Sequence, residues 1–145
     1  MNIFSKEVHI LIIIVILIVI IYRFFFYTEH YKTIQIKIEK HLKTEEEKQK
    51  GLMFRKHKLD TNTGYLFDYS DNPSSNGFWM KNTYISLDII FLDDKYKIIG
   101  FLKNMKPHSL ETRNINKKYF YAIEVNAGTI DNLKLRVGDI IELSI

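Results

Sequence analysis

Lys81, Asp88 and Glu124, each set beside or within an apolar stretch, are side chains of the types that acid–base chemistry needs. A lysine and two carboxylates within hydrogen-bond reach of one substrate atom would serve a small hydrolase or lyase. Lys81 stands two residues from Trp79, the only tryptophan. If residues 78–83 are extended, Trp79, Lys81 and Thr83 share one face and Phe78, Met80 and Asn82 the other. An indole beside an ammonium suits a sugar or an anion. The same residues also suit packing, with Trp79 filling the core and Lys81 paired with Asp88 or Glu124. Asn82, Thr83 and Asp88 are types that satisfy backbone groups at a turn. Glu124 and Asn126 end a strand rich in aromatics, where a buried carboxylate requires a partner. Arg55, following Leu52-Met53-Phe54, offers a planar fork to a carboxylate or phosphate, or an ordinary salt bridge.

Other chemistries lack their residues. The absence of cysteine removes disulfides, thiolate metal sites, cysteine nucleophiles and a lipid-modified cysteine. His9, His30, His41, His57 and His108 show no i, i+4 pairing, so no metal site is expected, and no cofactor. There is no phosphate-cradling glycine loop, Gly-x-Ser-x-Gly elbow or Walker-type lysine. The net charge of +4 comes with 21 basic residues. Only Arg23, Arg55, Arg113 and Arg136 are arginines, and no basic stripe interleaves with aromatics, so nucleic acid is not an expected partner.

The elements that must position these residues follow from periodicity. Residues 10–21 are all Ile, Leu or Val, with Tyr22, Arg23 and an aromatic patch at 24–27 after them. As a helix, residues 8–27 would cover about 30 Å if Arg23 snorkels. No small residues follow to mark a cleavage site, so this reads as a retained membrane anchor over residues 1–30. Residues 31–145 are then one compact domain, long enough for a single core. Within it, Ile34, Ile36 and Ile38 alternate along a half-buried strand at 33–39. Thr44 with Glu47 fits a capping box, so a short helix starts at Glu45 and ends near 51–55, burying Leu52, Met53 or Phe54. Strands are expected at 65–69, 87–92, 96–102, 119–125 and 140–143, with a short helix at 129–135. Residues 70–77 and 104–116 read as loops.

In order, Gly51-Leu52-Met53-Phe54-Arg55, Gly64 with Leu66-Phe67, Phe78-Trp79-Met80-Lys81-Asn82-Thr83, Leu87-Asp88-Ile89-Ile90-Phe91, Glu124-Val125-Asn126-Ala127-Gly128 and Val137-Gly138-Asp139 resemble the Domain of Unknown Function 192 family. The likeness runs from about Thr33 to the C-terminus. It departs at Tyr65, where Met is common, at Ser86, where Pro is common, and around Pro107, where many members have a cysteine. The resemblance implies a compact β-rich domain, commonly placed outside the bacterial cytoplasm, and supplies no reaction. Arg23, Lys32 and Lys37 after the apolar run point the other way on a positive-inside count. The resemblance outweighs that small bias and favours the extracytoplasmic side.

The sequence therefore predicts an α+β, mainly β domain, a small barrel or sandwich with one or two short helices, preceded by an N-terminal transmembrane helix. It reads as a noncatalytic binding or accessory module at the cell envelope, with a small-molecule, glycan or envelope-protein ligand. Trp79, Lys81, Asn82, Thr83, Asp88, Glu124, Asn126 and Arg55 are its candidate binding residues. The alternative is the hydrolase or lyase using Lys81, Asp88 and Glu124.

Overall fold

The computed structural model describes residues 5–27 and 31–144, the side chains of 24–27 excepted. The chain divides into two units, Met1–Tyr31 and Lys32–Ile145. The aromatic patch at 24–27, His30 and the expected boundary after residue 30 lie outside the described residues or side chains.

In the first unit, α1 spans Lys6–Tyr27. Its aliphatic residues 10–21 are 46% to 62% exposed, on every side of the helix. The transmembrane helix expected here is not matched: among the described residues no helix is long and apolar enough to cross a membrane. The uninterrupted aliphatic stretch covers about 18 Å at 1.5 Å per residue, and Lys6, Glu7 and Arg23 bracket it.

The second unit is built on one sheet of β1 (Thr33–Leu42), β2 (Thr63–Asp68), β3 (Leu87–Leu92), β4 (Ile98–Met105), β5 (Tyr121–Asn126) and β6 (Ile140–Ser144), in the order β4-β3-β5-β2-β1-β6. β1 runs parallel to β2 and β6, and the other pairings are antiparallel. A parallel pair needs a crossover. Residues 43–62 supply it, beginning with α2 (Glu45–Lys50). Thr44 caps that helix as expected, its side chain accepting from Glu47 N while Glu47 accepts from Thr44 N.

The two edge strands meet. Lys97 bridges Ile140, Ile98 N donates to Asp139 O at 2.8 Å, and Gly138 N donates to Ile98 O at 2.8 Å. The sheet thus closes on itself as a small six-stranded barrel. Ile36, Leu66, Ile90, Leu92, Ile123 and Val125 form one core, together with Ile130 of α3 (Thr129–Asn132). The opposite face of the same strands forms a second core. There Phe67, Ile89, Phe91 and Ala122 are covered by Leu52, Phe78, Met80 and Tyr119 from the connecting segments. All six residues of β3 are therefore buried, which explains why that stretch is continuously apolar around one acid.

That acid, Asp88, is a structural clamp. It is 1% exposed, Oδ1 accepts from Asn104 N at 2.9 Å, and Oδ2 accepts from Gly128 N at 2.9 Å and Ile130 N at 3.2 Å. It ties β3 to a kink in β4 and to the start of α3.

Several expected bounds shift for local reasons. Tyr96 has φ 59° and sits in the hairpin turn, so β4 starts later. Residues 119–120 leave the ladder, and Tyr119 bridges Ser74 and joins the second core instead of sharing a face with Ile123 and Val125. The capped helix buries none of its own residues; Leu52 is buried just after it and Phe54 is 55% exposed. Asp88→Ala, by stranding three backbone donors in the interior, is expected to cost about 3 kcal/mol or more in urea unfolding, whereas a change within about 0.5 kcal/mol would rule out the clamp.

Candidate functional site

The register of β5 decides where Glu124 points. It lies opposite Tyr65 of β2 and Ile89 of β3, on the face of the second core, while Asp88 lies opposite Val125 and faces the barrel interior. The two carboxylates are on opposite sides of the sheet. Lys81 joins neither: its Nζ lies 5.2 Å from the centroid of the Trp79 ring. The set Lys81, Asp88 and Glu124 therefore does not assemble, and neither does the expected pairing of Lys81 with either acid.

Glu124 has little around it. The residue is 6% exposed, and its Oε2 accepts one hydrogen bond, from Leu52 N at 3.3 Å. Glu124 is also among the residues that line an adjoining cavity. Burial pushes the carboxyl up to about 8, the single backbone hydrogen bond pulling the other way. The carboxyl thus holds its proton well above the ordinary carboxylate range.

Gly51 makes this burial possible. It ends α2 at φ 44°, a backbone favourable only to glycine, and a Cβ there would come within 2.9 Å of Phe67 Cζ and 3.0 Å of Glu124 Oε2. The chain thus passes directly over the carboxyl, and the next N–H supplies its one donor.

The cavity above Glu124 has a volume of about 300 Å³, with Lys48, Gln49, Tyr69, Asn76 and Trp79 among its walls. Lys48 is held by Glu45 at 2.7 Å, by Asp68 O at 3.2 Å and over the Tyr69 ring at 4.4 Å. Burial, and after it the charge of the Tyr119 hydroxyl, raises the Tyr69 hydroxyl well above its ordinary value, so it stays protonated. Two further hollows adjoin. One, of about 270 Å³, shares Gln49, Lys50, Met53 and Trp79 with the first and adds Phe54 and Lys81. The other, of about 460 Å³, shares Glu45, Lys48, Tyr69 and Asn76 and extends along residues 71–75.

The remaining expected site residues divide between wall and scaffold. Trp79 is 39% exposed and lines two hollows, so it is a rim rather than core filling. The alternation expected along 78–83 holds for buried Phe78 and Met80, then ends where Thr83 N turns back to Met80 O at 3.1 Å. Asn82 takes φ 56° in that turn, a conformation asparagine tolerates, and lines the smaller hollow. Thr83 is buried, donates to Lys81 O at 3.3 Å and contributes to the cavity wall. Asn126 clamps the backbone of Leu59, accepting from its N at 3.0 Å and donating to its O at 2.7 Å. Arg55 is engaged by Glu39 at 2.6 Å, by Tyr65 Oη at 3.2 Å and by His57 O at 2.9 Å. The Glu39 hydrogen bond, against a smaller loss from burial, raises its affinity for the proton. Among the described residues no group of three or more His, Asp or Glu is placed to hold a metal. Lys48, Gln49, Tyr69 and Asn76 were not foreseen; the acidic start of α2 drew the eye to helix capping, and cavity walls from three segments have no signature in sequence.

One curled six-stranded sheet with a second, loop-covered core, and a buried acid among the walls of an adjoining cavity, defines a small α+β, mainly β domain. The chain belongs to the DUF192 family, described as Uncharacterized ACR, whose model matches residues 27–143. Among solved structures it resembles a "putative transcription regulator" from Sinorhizobium meliloti 1021, with 31% identity and a TM-score of 0.67 over 71% of this chain and 78% of that one. It also resembles a protein of unknown function from Novosphingobium aromaticivorans DSM 12444, with 30% identity and a TM-score of 0.66 over 71% and 73%. No curated protein matches the chain.

The titration of Glu124 has a stability consequence. An unfolded glutamate loses its proton near the ordinary value of 4.5, the folded one near 8, so the folded state binds more protons between these values. The stability that Glu124 contributes is fully present below about pH 4.5 and is lost as pH rises through about 8. Glu124→Gln is expected to remove that slope, measured as the urea midpoint across pH, and an unchanged slope in the variant would assign it elsewhere.

Proposed function

We propose that the protein is a noncatalytic binding module of the cell envelope that holds a saccharide in the groove over Glu124. The carrying observation is a cavity lined both by the buried carboxyl of Glu124, which burial pushes up to about 8, and by the exposed indole of Trp79. Such a carboxyl, while protonated, donates one hydrogen bond to an uncharged oxygen, and the ring offers a flat apolar platform. Gln49, Asn76 and Lys50 supply further polar contacts around the wall. With Arg55 engaged, the groove has no free guanidinium fork for a phosphate or carboxylate. The separation of Lys81, Asp88 and Glu124 favours binding over hydrolysis.

The attachment to the envelope is α1. Twelve consecutive aliphatic residues exposed all round a helix are unfavourable in water, at about 25 cal/mol per Å² of apolar surface. Placing that surface among lipid chains relieves the cost, without the helix crossing the membrane. The family likeness favours an extracytoplasmic position for the barrel.

Two outcomes are expected. Against a panel of glycans, peptides and envelope proteins, the full chain in detergent micelles should bind glycans, and Trp79→Ala should weaken them about tenfold, a loss of about 1.4 kcal/mol. Retention of peptides alone, or binding indifferent to Trp79→Ala, overturns the reading. Ile14→Asp with Leu17→Asp should move the protein from carbonate-washed membranes to the supernatant; fractionation unchanged by both charges contradicts the anchor.

A further inference from the structure

The three hollows adjoin one another. The middle one shares four wall residues with each neighbour, and Trp79 stands on the boundary with the smaller. A ligand filling only the middle hollow would leave both flanks open to water. A chain of repeating units would occupy all three.

The chemistry of the floor selects the unit. Glu124 lines the cavity together with Leu52, Phe67 and Phe78, so a group that meets its carboxyl needs one acceptor oxygen backed by apolar surface. A sugar hydroxyl supplies the acceptor but brings a donor of its own into an apolar wall. An acetamido group supplies a carbonyl acceptor and a methyl group together. Peptides also carry carbonyls, but their commonest way of joining a β-domain is by adding a strand to an open sheet edge. Here the start of the β4 edge is already taken, Ile98 N donating to Asp139 O and Ile98 O accepting from Gly138 N.

Resting on the saccharide reading above, we propose that the groove takes an oligosaccharide of N-acetylated hexosamine units, the acetamido carbonyl of the middle unit accepting a hydrogen bond from Glu124 and the adjoining unit stacking at Trp79. The flanking unit on the other side lies along residues 71–75 beside Asn76 and Lys48.

Titration calorimetry of the full chain in micelles tests this with N-acetylglucosamine, its β-1,4-linked dimer and trimer, and the glucose series of the same lengths. Affinity is expected to rise about tenfold or more from monomer to trimer and to exceed that of the equal-length glucose oligomer by about tenfold. Glu124→Gln, which keeps a donor, should stay within about threefold of wild type, and Glu124→Ala should lose the preference for the acetamido series. Trp79→Ala, a surface change that leaves the cores intact, should flatten the rise with length. Equal affinity for monomer and trimer overturns the extended groove, and equal affinity for the two series overturns the acetamido contact; in both cases saccharide binding itself survives. If no member of either series binds while another glycan does, the proposed unit is wrong, and if no glycan binds, the saccharide reading falls with it.

Discussion

The close approach of Gly51 to Glu124 is the constraint on which the site depends. A carboxyl with one weak backbone donor and apolar neighbours cannot remain ionised at low cost, because the charged form has lost water without gaining partners. The fold accepts this by keeping the proton. Any residue larger than glycine at position 51 would have to displace Phe67 or Glu124, and the main chain would no longer seal that side of the cavity. The same turn places Leu52 in the second core and Phe54, at φ 66°, on the surface beside Tyr84. The backbone N–H of Phe54 donates to Asn82 O at 2.8 Å, so the segment after α2 is tied to the one carrying Trp79. Floor and rim are thus positioned by one set of contacts.

The barrel supplies the rigidity behind that arrangement. Its central strands β2, β3 and β5 are buried on both faces, with one face against branched aliphatics and the other covered by rings. Phe78 meets Phe67 at 5.2 Å and Phe91 at 5.6 Å, both edge to face, and Tyr119 meets Phe91 at 4.8 Å. Such geometry suits the ring quadrupoles and fixes the covering segments against the sheet. Phe78 also bridges Arg113, which links the two long loops across the outer core. A loop held at so many points can carry an exposed tryptophan without surrendering its position.

Much of this was legible in the residues. The capping box of Thr44 and Glu47, the alternation of Ile34, Ile36 and Ile38, and the continuous apolar run of β3 each report a local rule, and local rules survive folding. The family was legible from ordered blocks, chiefly Phe78 to Thr83. What could not be read was the relation between strands. Asp88 and Glu124 look alike in sequence, each an acid within an apolar strand. Only the pairing of Ile89 with Glu124 sends them to opposite faces, making one a clamp and the other a cavity floor. Trp79 was readable as special, but its exposure follows from a turn at Asn82 that ends the alternation. At α1 composition overstated the case, since the charged residues that bracket the aliphatic run shorten the part that is wholly apolar.

Burial pushes the carboxyl of Glu124, in the wall of the groove, up to about 8. Carbon-13 NMR titration of the side-chain carboxyls, with Glu124 identified by its absence in Glu124→Gln, measures this without reference to any ligand. A midpoint near 8 is the predicted result. A midpoint at or below about 5 would show an ordinary ionised carboxylate and contradict the account.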